Sequence, residues 1–209
     1  MAILDVNPTR MSLLLLRKQL TTANRGHKLL KDKRDGLMKH FMEIIRKTRE
    51  LRLFIEAELG TTLSRFLSAS STMNPRIVEG SLLFPEAQIE LEVTTRNVMS
   101  VYIPSFSAES SGSLINYGYA QTTGDLDIGL QKLQKLLPKL LELAEFEKGA
   151  ENLADEIEKV RRRVNALEYN MIPNYKETIK FIIMKLGEQE RSTIIATMVL
   201  KNQMLKKEA

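Results

Sequence analysis

The sequence predicts a mainly α-helical protein in which two long antiparallel helices form a coiled-coil hairpin, with a small β-hairpin insert between them. Three observations support this fold class. Apolar residues recur every three or four positions in the first and last thirds of the chain, which is the period of one helix face. Apolar and polar residues alternate in the middle third, which is typical of strands. The charge balance divides the chain at similar places.

The net charge changes sign twice along the chain. Residues 1–70 contain 14 Lys and Arg against 7 Asp and Glu, residues 71–125 contain 2 against 6, and residues 126–209 contain 15 against 13. We therefore expect an N-terminal long helix at 1–69, a connector with the β-hairpin at 70–123, and a C-terminal long helix at 124–209. Together they are expected to form one elongated domain.

The first helix is predicted from an apolar face that no proline interrupts after Pro8. Helix-favouring Leu, Lys, Arg, Glu and Met fill the intervening positions. A helix of this extent measures roughly 85 Å at 1.5 Å per residue, which is longer than a small domain is wide. The predicted face comprises Leu13, Leu16, Leu20, Ala23, His27, Leu30, Arg34, Leu37, Phe41, Ile44, Thr48, Leu51 and Ile55.

The last third carries a second apolar face with a weak point at Gly149. Steps of four outnumber steps of three, which favours a nearly straight helix pair over a left-handed supercoil. Pro173 lies inside the pattern, and because the face keeps its phase beyond it, we expect one bent helix rather than two helices. The face comprises Leu130, Leu133, Leu137, Leu140, Ala144, Leu153, Ile157, Val160, Val164, Leu167, Met171, Tyr175, Thr178, Ile182 and Leu186.

The β-hairpin is predicted at residues 87–104, where apolar and polar residues alternate. Ile89, Leu91 and Val93 occupy one face of its first strand, with glutamates between them. The turn is expected at residues 94–97. After the hairpin, residues 105–113 are expected to form a loop, and residues 114–121 are compatible with one more short strand.

The two long helices are expected to pack against each other. Each would otherwise leave its apolar face in water, at a cost of roughly 1.5–3 kcal/mol for each Leu, Ile or Val. Because a compact connector returns the chain, the packing is expected to be antiparallel, with both termini at the same end. The apolar C-terminal stretch at residues 194–204 is expected to meet a partner on more than one side.

Several classes of function are disfavoured by composition and motifs. The chain has no Cys, which excludes disulfides, thiol catalysis and zinc–thiolate sites. His27 and His40 are too far apart in sequence to share a metal by local spacing, and no phosphate-binding loop or nucleophile motif occurs. No apolar run approaches the roughly 18 residues of a membrane span, and the first residues lack the layout of a signal peptide. We expect a non-catalytic, cytoplasmic protein without a cofactor.

Three consecutive arginines, Arg161, Arg162 and Arg163, allow two interpretations. They are able to bind phosphate groups of nucleic acid. Alternatively, they belong to a solvated or partner-facing helix surface, since Glu156 and Glu158 lie within two turns and can pair with them. The second interpretation is favoured, because no aromatic residues are interleaved with the arginines.

Four stretches of the two helices resemble the D subunit family of V-type rotary ATPases. Residues 7–20 (NPTRMSLLLLRKQL) and 26–37 (GHKLLKDKRDGL) resemble the opening of that family. Residues 161–173 (RRRVNALEYNMIP) and 178–191 (TIKFIIMKLGEQER) resemble its C-terminal signature. The chain departs from the pattern at Gly187, where an acidic residue is usual, and in the tail after Arg191.

The resemblance implies a central rotor axle that couples ATP hydrolysis or synthesis to ion transport. The implied partners are the catalytic and regulatory subunits of the ATPase ring, the small F subunit of the central stalk, and the funnel-shaped subunit on the membrane rotor ring. No cofactor, nucleic acid or direct membrane insertion is implied. The implied location is the soluble, cytoplasmic sector of a membrane-attached complex.

The resembling stretches supply the candidate site residues. Those implied to bind partners are Arg10, Lys31, Lys33, Arg34, Arg161, Arg162, Arg163, Glu168, Glu188 and Arg191. Those implied to hold the structure are Gly26, His27, Leu167, Tyr169 and Pro173. Two other functions stay open at this point: a structural coiled-coil adaptor without a motor role, and a basic helical nucleic-acid-binding protein.

Overall fold

A computed structural model describes residues 4–83 and 85–208 of the chain. It confirms the predicted fold class, a mainly α-helical chain with a two-stranded antiparallel insert. The elements in chain order are α1 (Arg10–Thr72), α2 (Pro75–Leu82), β1 (Gln88–Val98), β2 (Val101–Ser111), α3 (Gly124–Asn165), a π-helical segment (Ala166–Met171) and α4 (Ile172–Glu208).

Contacts divide the chain into two compact units. The terminal unit contains the described residues of Met1–Asp35 and Glu158–Ala209, and the insert unit contains those of Gly36–Ile157. Helices α1 and α3 contribute to both units. In each unit a part of α1 packs against a part of the C-terminal helices.

Capping residues mark the starts of α1 and α2. The Thr9 side chain accepts a hydrogen bond from the Ser12 backbone N–H at 3.2 Å, as an N-cap residue does. After α1 ends, the Asn74 side chain accepts from the Arg76 backbone N–H at 3.1 Å and so caps α2. Pro75 follows at the first helical position. The lack of an N–H group costs nothing there, because the first N–H groups of a helix have no acceptor within the helix.

The predicted apolar face of α1 is confirmed at every position. All thirteen of its residues are buried or half-buried, and Leu16, Leu37 and Ile55 are the most buried among them. The exposed neighbours between them are mainly charged. The helix is therefore held by burial of one face against other elements rather than by helix propensity alone.

In the insert unit α1 and α3 run antiparallel. Arg52 lies 3.1 Å from Glu147, and further along α1, Arg65 lies 3.5 Å from Asp125 near the start of α3. Between these pairs the Lys139 ammonium lies 3.8 Å from the centroid of the Phe54 ring. Such exposed pairs stabilise the fold weakly, by about 0–1 kcal/mol each. They are useful mainly because they show which residues of α1 and α3 lie side by side.

A compact apolar cluster joins α1, α2 and the start of α3. Next to it the Tyr117 hydroxyl donates to Asp127 at 2.6 Å. Burial and this hydrogen bond to a carboxylate raise the pKa of Tyr117 well above its usual range. The cluster is formed by Ala69, Met73, Val78, Leu126 and Leu130, with Phe66, Ile77 and Tyr117 packed against it.

The predicted apolar face of the C-terminal helices is confirmed only in part. Leu133, Ala144 and Met171 are exposed, whereas Leu126 and Leu136 are buried instead. The physical reason near the start of α3 is that the helix packs into the cluster with α2 as well as along α1. Its buried face is therefore broader than one narrow stripe.

The β-hairpin is confirmed, but its predicted turn at residues 94–97 is wrong. These residues lie inside β1, and the turn is formed by Met99 and Ser100, which have φ of 51° and 72°. Two residues with positive φ match the twist of an antiparallel pair. The Asn97 side chain accepts from the Ser100 backbone N–H at 2.9 Å and supports the turn.

Two further expectations about the connector are wrong. Residues 105–111 of the predicted loop belong to β2, because they pair in antiparallel register with β1 from Gln88 to Thr94. Backbone pairing with β1 outweighs the low strand propensity of this Ser-rich sequence. Residues 114–121 form no strand, since no third strand pairs with the described hairpin.

Two glycines allow the turn end of the hairpin to contact the long helices. A Cβ atom on Gly149 of α3 would lie 2.9 Å from Cγ2 of Ile103, a β-branched residue that is only 4% exposed. A Cβ atom on Gly36 of α1 would lie 2.8 Å from the terminal methyl group of Met99, whose side chain is 39% exposed. Gly149, which the sequence suggested as a weak point of the helix, is thus the position at which the hairpin packs closely against α3.

We expect Gly149→Ala and Gly36→Ala to change stability in opposite directions. Both replacements gain about 1 kcal/mol of helix propensity. At Gly149 the added methyl group overlaps a buried, rigid side chain, and overpacking of this kind costs about 1–3 kcal/mol. At Gly36 the flexible Met99 is able to move aside. Urea unfolding followed by circular dichroism should show a net loss for Gly149→Ala only; equal gains would contradict the close packing.

The raised pKa of Tyr117 predicts a loss of stability in alkaline solution. Because the folded pKa lies above the unfolded value near 10, the stabilisation is complete below about pH 10 and is lost as the pH rises towards the folded pKa. The free energy of unfolding, measured by urea titration at each pH, should begin to fall at about pH 10 and continue to fall as the pH rises further. Tyr117→Phe should remove part of this dependence; an unchanged profile would exclude Tyr117 as its source.

Candidate partner-binding surface

In the terminal unit α1 and the C-terminal helices run antiparallel. Near the start of α1, Arg10 lies 2.7 Å from Glu190. Further along α1, His27 Nε2 lies 3.4 Å from Glu168. As the residue number on α1 rises, the number of its partner falls from 190 to 168. The sequence motifs that resembled one family therefore lie side by side in this unit.

Among its described residues, the interior of the terminal unit is apolar except for one threonine. Leu16 of α1 is buried, as are Val160, Val164 and Ile182 on the C-terminal helices. Thr178 is also fully buried, but its hydroxyl donates to the Asn174 carbonyl at 2.7 Å and accepts from Leu4. A buried hydroxyl with both roles satisfied carries little desolvation penalty.

The helix continues through Pro173, as expected, and a π-helical segment stands directly before it. The Ile172 backbone N–H bonds to the Leu167 carbonyl, five residues back. Proline lacks an N–H and crowds the preceding turn of an ordinary α-helix. A wider turn at this point relieves that crowding, and it inserts one extra residue into the helix. The extra residue coincides with one pair of successive four-residue steps in the apolar face, from Leu167 through Met171 to Tyr175.

The five residues implied to hold the structure lie around this segment. Leu167 and Pro173 are half-buried, and His27 forms its contact with Glu168 of the π segment. Tyr169 points into solvent and is 67% exposed. Gly26 is half-buried, but a Cβ atom there would meet no atom within 4 Å. The space above Gly26 is therefore open.

The basic residues of the second motif lie one to two turns after His27. Lys31 is exposed, and Lys33 is half-buried and engaged in an interaction. Arg34 is half-buried and donates to Asp35, with its Nη2 at 2.8 Å. The charge of Arg34 is thus partly compensated within its own helix.

The three consecutive arginines all project from the surface of α3. Arg162 pairs with Glu158 at 3.0 Å, one helical turn away, as the sequence spacing suggested. Within the part of the chain that the structure describes, no ion pair involves Arg161 or Arg163. Two guanidinium groups are therefore available to an external partner.

The charged residues near the end of the last motif are also exposed. Glu188 and Arg191 project into solvent, while Arg10 and Glu190 pair with each other. Beyond them every described side chain from residue 191 to residue 204 is exposed. This stretch includes Ile194, Ile195, Met198, Val199, Leu200 and Met204, each about half exposed or more.

No sequence pattern predicts one feature of this unit, a groove of about 510 Å³ beside the π segment. It lies between α1 and the C-terminal helices, and its lining includes Leu15, Lys18, Gly26, Leu167, Met171 and Tyr175. The helical pattern had assigned Met171 to the buried face. The π turn, which no local pattern of residues reveals, changes the direction of that side chain.

None of the helices in the described part of the chain is both long and apolar enough to cross a membrane. The charged and apolar residues described above instead cover helices that pack on one another along one face. Exposed apolar patches of this kind are typical of proteins that bind other chains.

Comparison with known proteins identifies the family. The profile of the ATP synthase D subunit matches residues 12–202. The chain is 51% identical over 212 residues to the V-type ATP synthase D subunit of Fusobacterium nucleatum, with both chains fully covered. It is 50% identical to the same-named protein of Clostridium botulinum, covering 99% of this chain and 98% of the relative, and 48% identical to that of Clostridium novyi. The chain belongs to the ATP synthase D subunit family.

Replacing the two helix prolines should show the effect of the π segment. Pro138 lies inside α3 in regular α-helix, so Pro138→Ala should raise the free energy of unfolding by up to about 3 kcal/mol. Pro173→Ala should raise it by less than about 1 kcal/mol, because the π turn already relieves the crowding. Urea unfolding of both variants measures the difference. A gain for Pro173→Ala equal to that for Pro138→Ala would contradict this explanation.

Proposed function

We propose that this protein is the non-catalytic central-stalk subunit, the rotor axle, of a V-type ATPase. In this role it couples ATP hydrolysis or synthesis in the catalytic ring to ion transport across the membrane. The observation that carries the proposal is the full-length similarity to proteins named as the D subunit of V-type ATP synthase. The antiparallel packing inside each unit agrees with it, since an axle requires paired helices that resist twisting.

We propose further that the terminal and insert units belong to one elongated domain in the complex, as the sequence predicted. The terminal unit then contacts the catalytic and regulatory subunits of the ring. Its exposed apolar stretch at residues 194–204 supports this, because apolar side chains clustered in one exposed stretch are typical of an interaction site. The exposed Arg161 and Arg163 add charge that a rotating contact can form and break.

The insert unit is proposed to bind the small F subunit and the funnel-shaped subunit on the membrane rotor ring. Two surfaces support this. One face of the hairpin exposes Ile89, Leu91 and Val93. A second apolar groove of about 280 Å³ lies between α1, α2 and α3, and Leu63 and Leu82 are among its lining residues. The complex is proposed to keep this chain in its soluble, cytoplasmic sector.

Pulldown of the full chain from native membranes tests the assignment. The expected result is co-purification of the ring subunits and the other stalk subunits, identified by mass spectrometry. A stable homodimer without those subunits, seen by sedimentation, would favour a coiled-coil adaptor. Tight binding to duplex DNA with a steep salt dependence would favour the nucleic-acid-binding alternative.

Replacing Arg161, Arg162 and Arg163 together with Ala should reduce coupling more than it reduces helicity. The side chains lie on the surface, so the fold loses little beyond the exposed pair of Arg162 with Glu158. In the reassembled complex we expect ion transport per ATP hydrolysed, or the yield of assembled complex, to fall by about threefold or more. Circular dichroism of the free chain should change little.

A matched control removes the same charge elsewhere. Arg46, Lys47 and Arg49 are exposed on α1 in the insert unit, and their replacement with Ala should leave coupling closer to that of the unmodified complex. Normal hydrolysis and transport by the Arg161–Arg163 variant would reject the assignment of these arginines to a partner contact.

A further inference from the structure

The groove beside the π segment has the form of a receptor for a side chain from another protein. Its volume of about 510 Å³ falls within the usual range of binding pockets, about 300–1,000 Å³. Leu15, Leu167, Met171 and Tyr175 contribute apolar surface, and the lining contains no acidic residue among the described side chains. An apolar side chain entering it would lose contact with water on several sides at once.

Gly26 leaves the groove open. A mid-helix glycine costs about 1 kcal/mol relative to alanine, and here no neighbouring atom requires it, since a Cβ atom would have nothing within 4 Å. This differs from Gly36 and Gly149, where the hairpin approaches the helix closely. No contact within the described chain requires a glycine at position 26. We therefore attribute the glycine to the groove, whose volume a larger side chain would reduce.

The charge around the groove indicates what enters it. From Arg10 to Lys31 helix α1 carries six basic residues and no acidic one, and Lys18 lines the groove itself. The basic side chains Arg17, Lys18, Arg25 and Lys28 lie on the same stretch, and all four are exposed. A segment with negative charge around an apolar residue is complementary to this surface.

Other occupants fit less well. A second copy of this chain would bring the same positive stretch of α1 against itself, and like charges oppose such a contact. Phosphate groups of nucleic acid would be attracted by the lysines and arginines but would gain nothing from an apolar lining. A flat anionic membrane would contact the rim, while the concave floor at Gly26 would stay unfilled.

We propose that this groove docks an acidic segment of the surrounding ring, with one large apolar side chain of that segment inserted above Gly26 and its carboxylates near Lys18. This inference rests on the proposed function and specifies one contact by which the ring holds the axle. The apolar insertion determines position, and the charge pairs determine orientation and the speed of encounter.

Filling the groove tests the insertion. Gly26→Leu places a side chain in open space and improves helix propensity, so the fold should be retained or stabilised. Gly60→Leu is the matched control, because Gly60 also lies inside α1, is exposed and has nothing within 4 Å of its Cβ position. Binding of each full-length variant to the ring of catalytic and regulatory subunits, purified without its axle, is measured by interferometry.

We expect Gly26→Leu to weaken binding to the ring by about tenfold or more, as loss of a buried anchor does, while Gly60→Leu binds like the unmodified chain. Equal binding by both variants would overturn the groove assignment and leave the axle function intact. No binding of the unmodified chain to the ring would overturn both. A Gly26→Leu variant that binds the ring normally but disrupts self-association or vesicle binding would also overturn it.

Cross-linking identifies the segment that enters. The chain contains no Cys, so Lys18→Cys creates a single attachment point for a photoreactive benzophenone maleimide, and Lys47→Cys on the insert unit is the control. In the complex with the ring we expect Lys18→Cys to label a peptide rich in Asp and Glu, recovered by mass spectrometry. Labelling of a basic or uncharged ring peptide would overturn the proposed chemistry of the partner.

Discussion

The structure depends on burial of one continuous apolar face of α1. The thirteen residues of that face are buried or half-buried along more than forty residues of helix, and each large apolar side chain removed from water contributes roughly 1.5–3 kcal/mol. The exposed ion pairs along the helices contribute far less, about 0–1 kcal/mol each. Packing along this face therefore holds the helices together, and the charged residues are left to interact with other molecules.

The same constraint explains where the helices deviate from regularity. The hairpin contacts α1 and α3 at Gly36 and Gly149, positions without a side chain, so it packs on the helices without interrupting their apolar faces. Pro173 is accommodated by widening one turn into a π segment rather than by ending the helix. Each deviation preserves the buried face and changes only the outer surface, where the groove and the exposed Met171 result.

For a protein that acts through contacts with other chains, this separation between a buried face and an outer surface is functionally important. The buried face holds the paired helices together, and the outer surface is left to contact other chains. Three groups of residues lie outside the packed face. They are the exposed basic residues on α1, Arg161 and Arg163, which form no ion pair within the described residues, and the apolar stretch at residues 194–204. Substitutions there leave the packed face intact, because these side chains contribute little to it.

The amino-acid sequence by itself determined the long helices, the face of α1, the hairpin and the family, because periodicity and motif residues are local properties. Tertiary structure decided the rest. The turn moved to Met99 and Ser100 and the Ser-rich segment became β2, since strand pairing outweighs local propensity. The broader buried face at Leu126 and Leu136, and the groove above Gly26, arise where separate elements meet. Such features depend on distances between residues far apart in the chain, which no local pattern records.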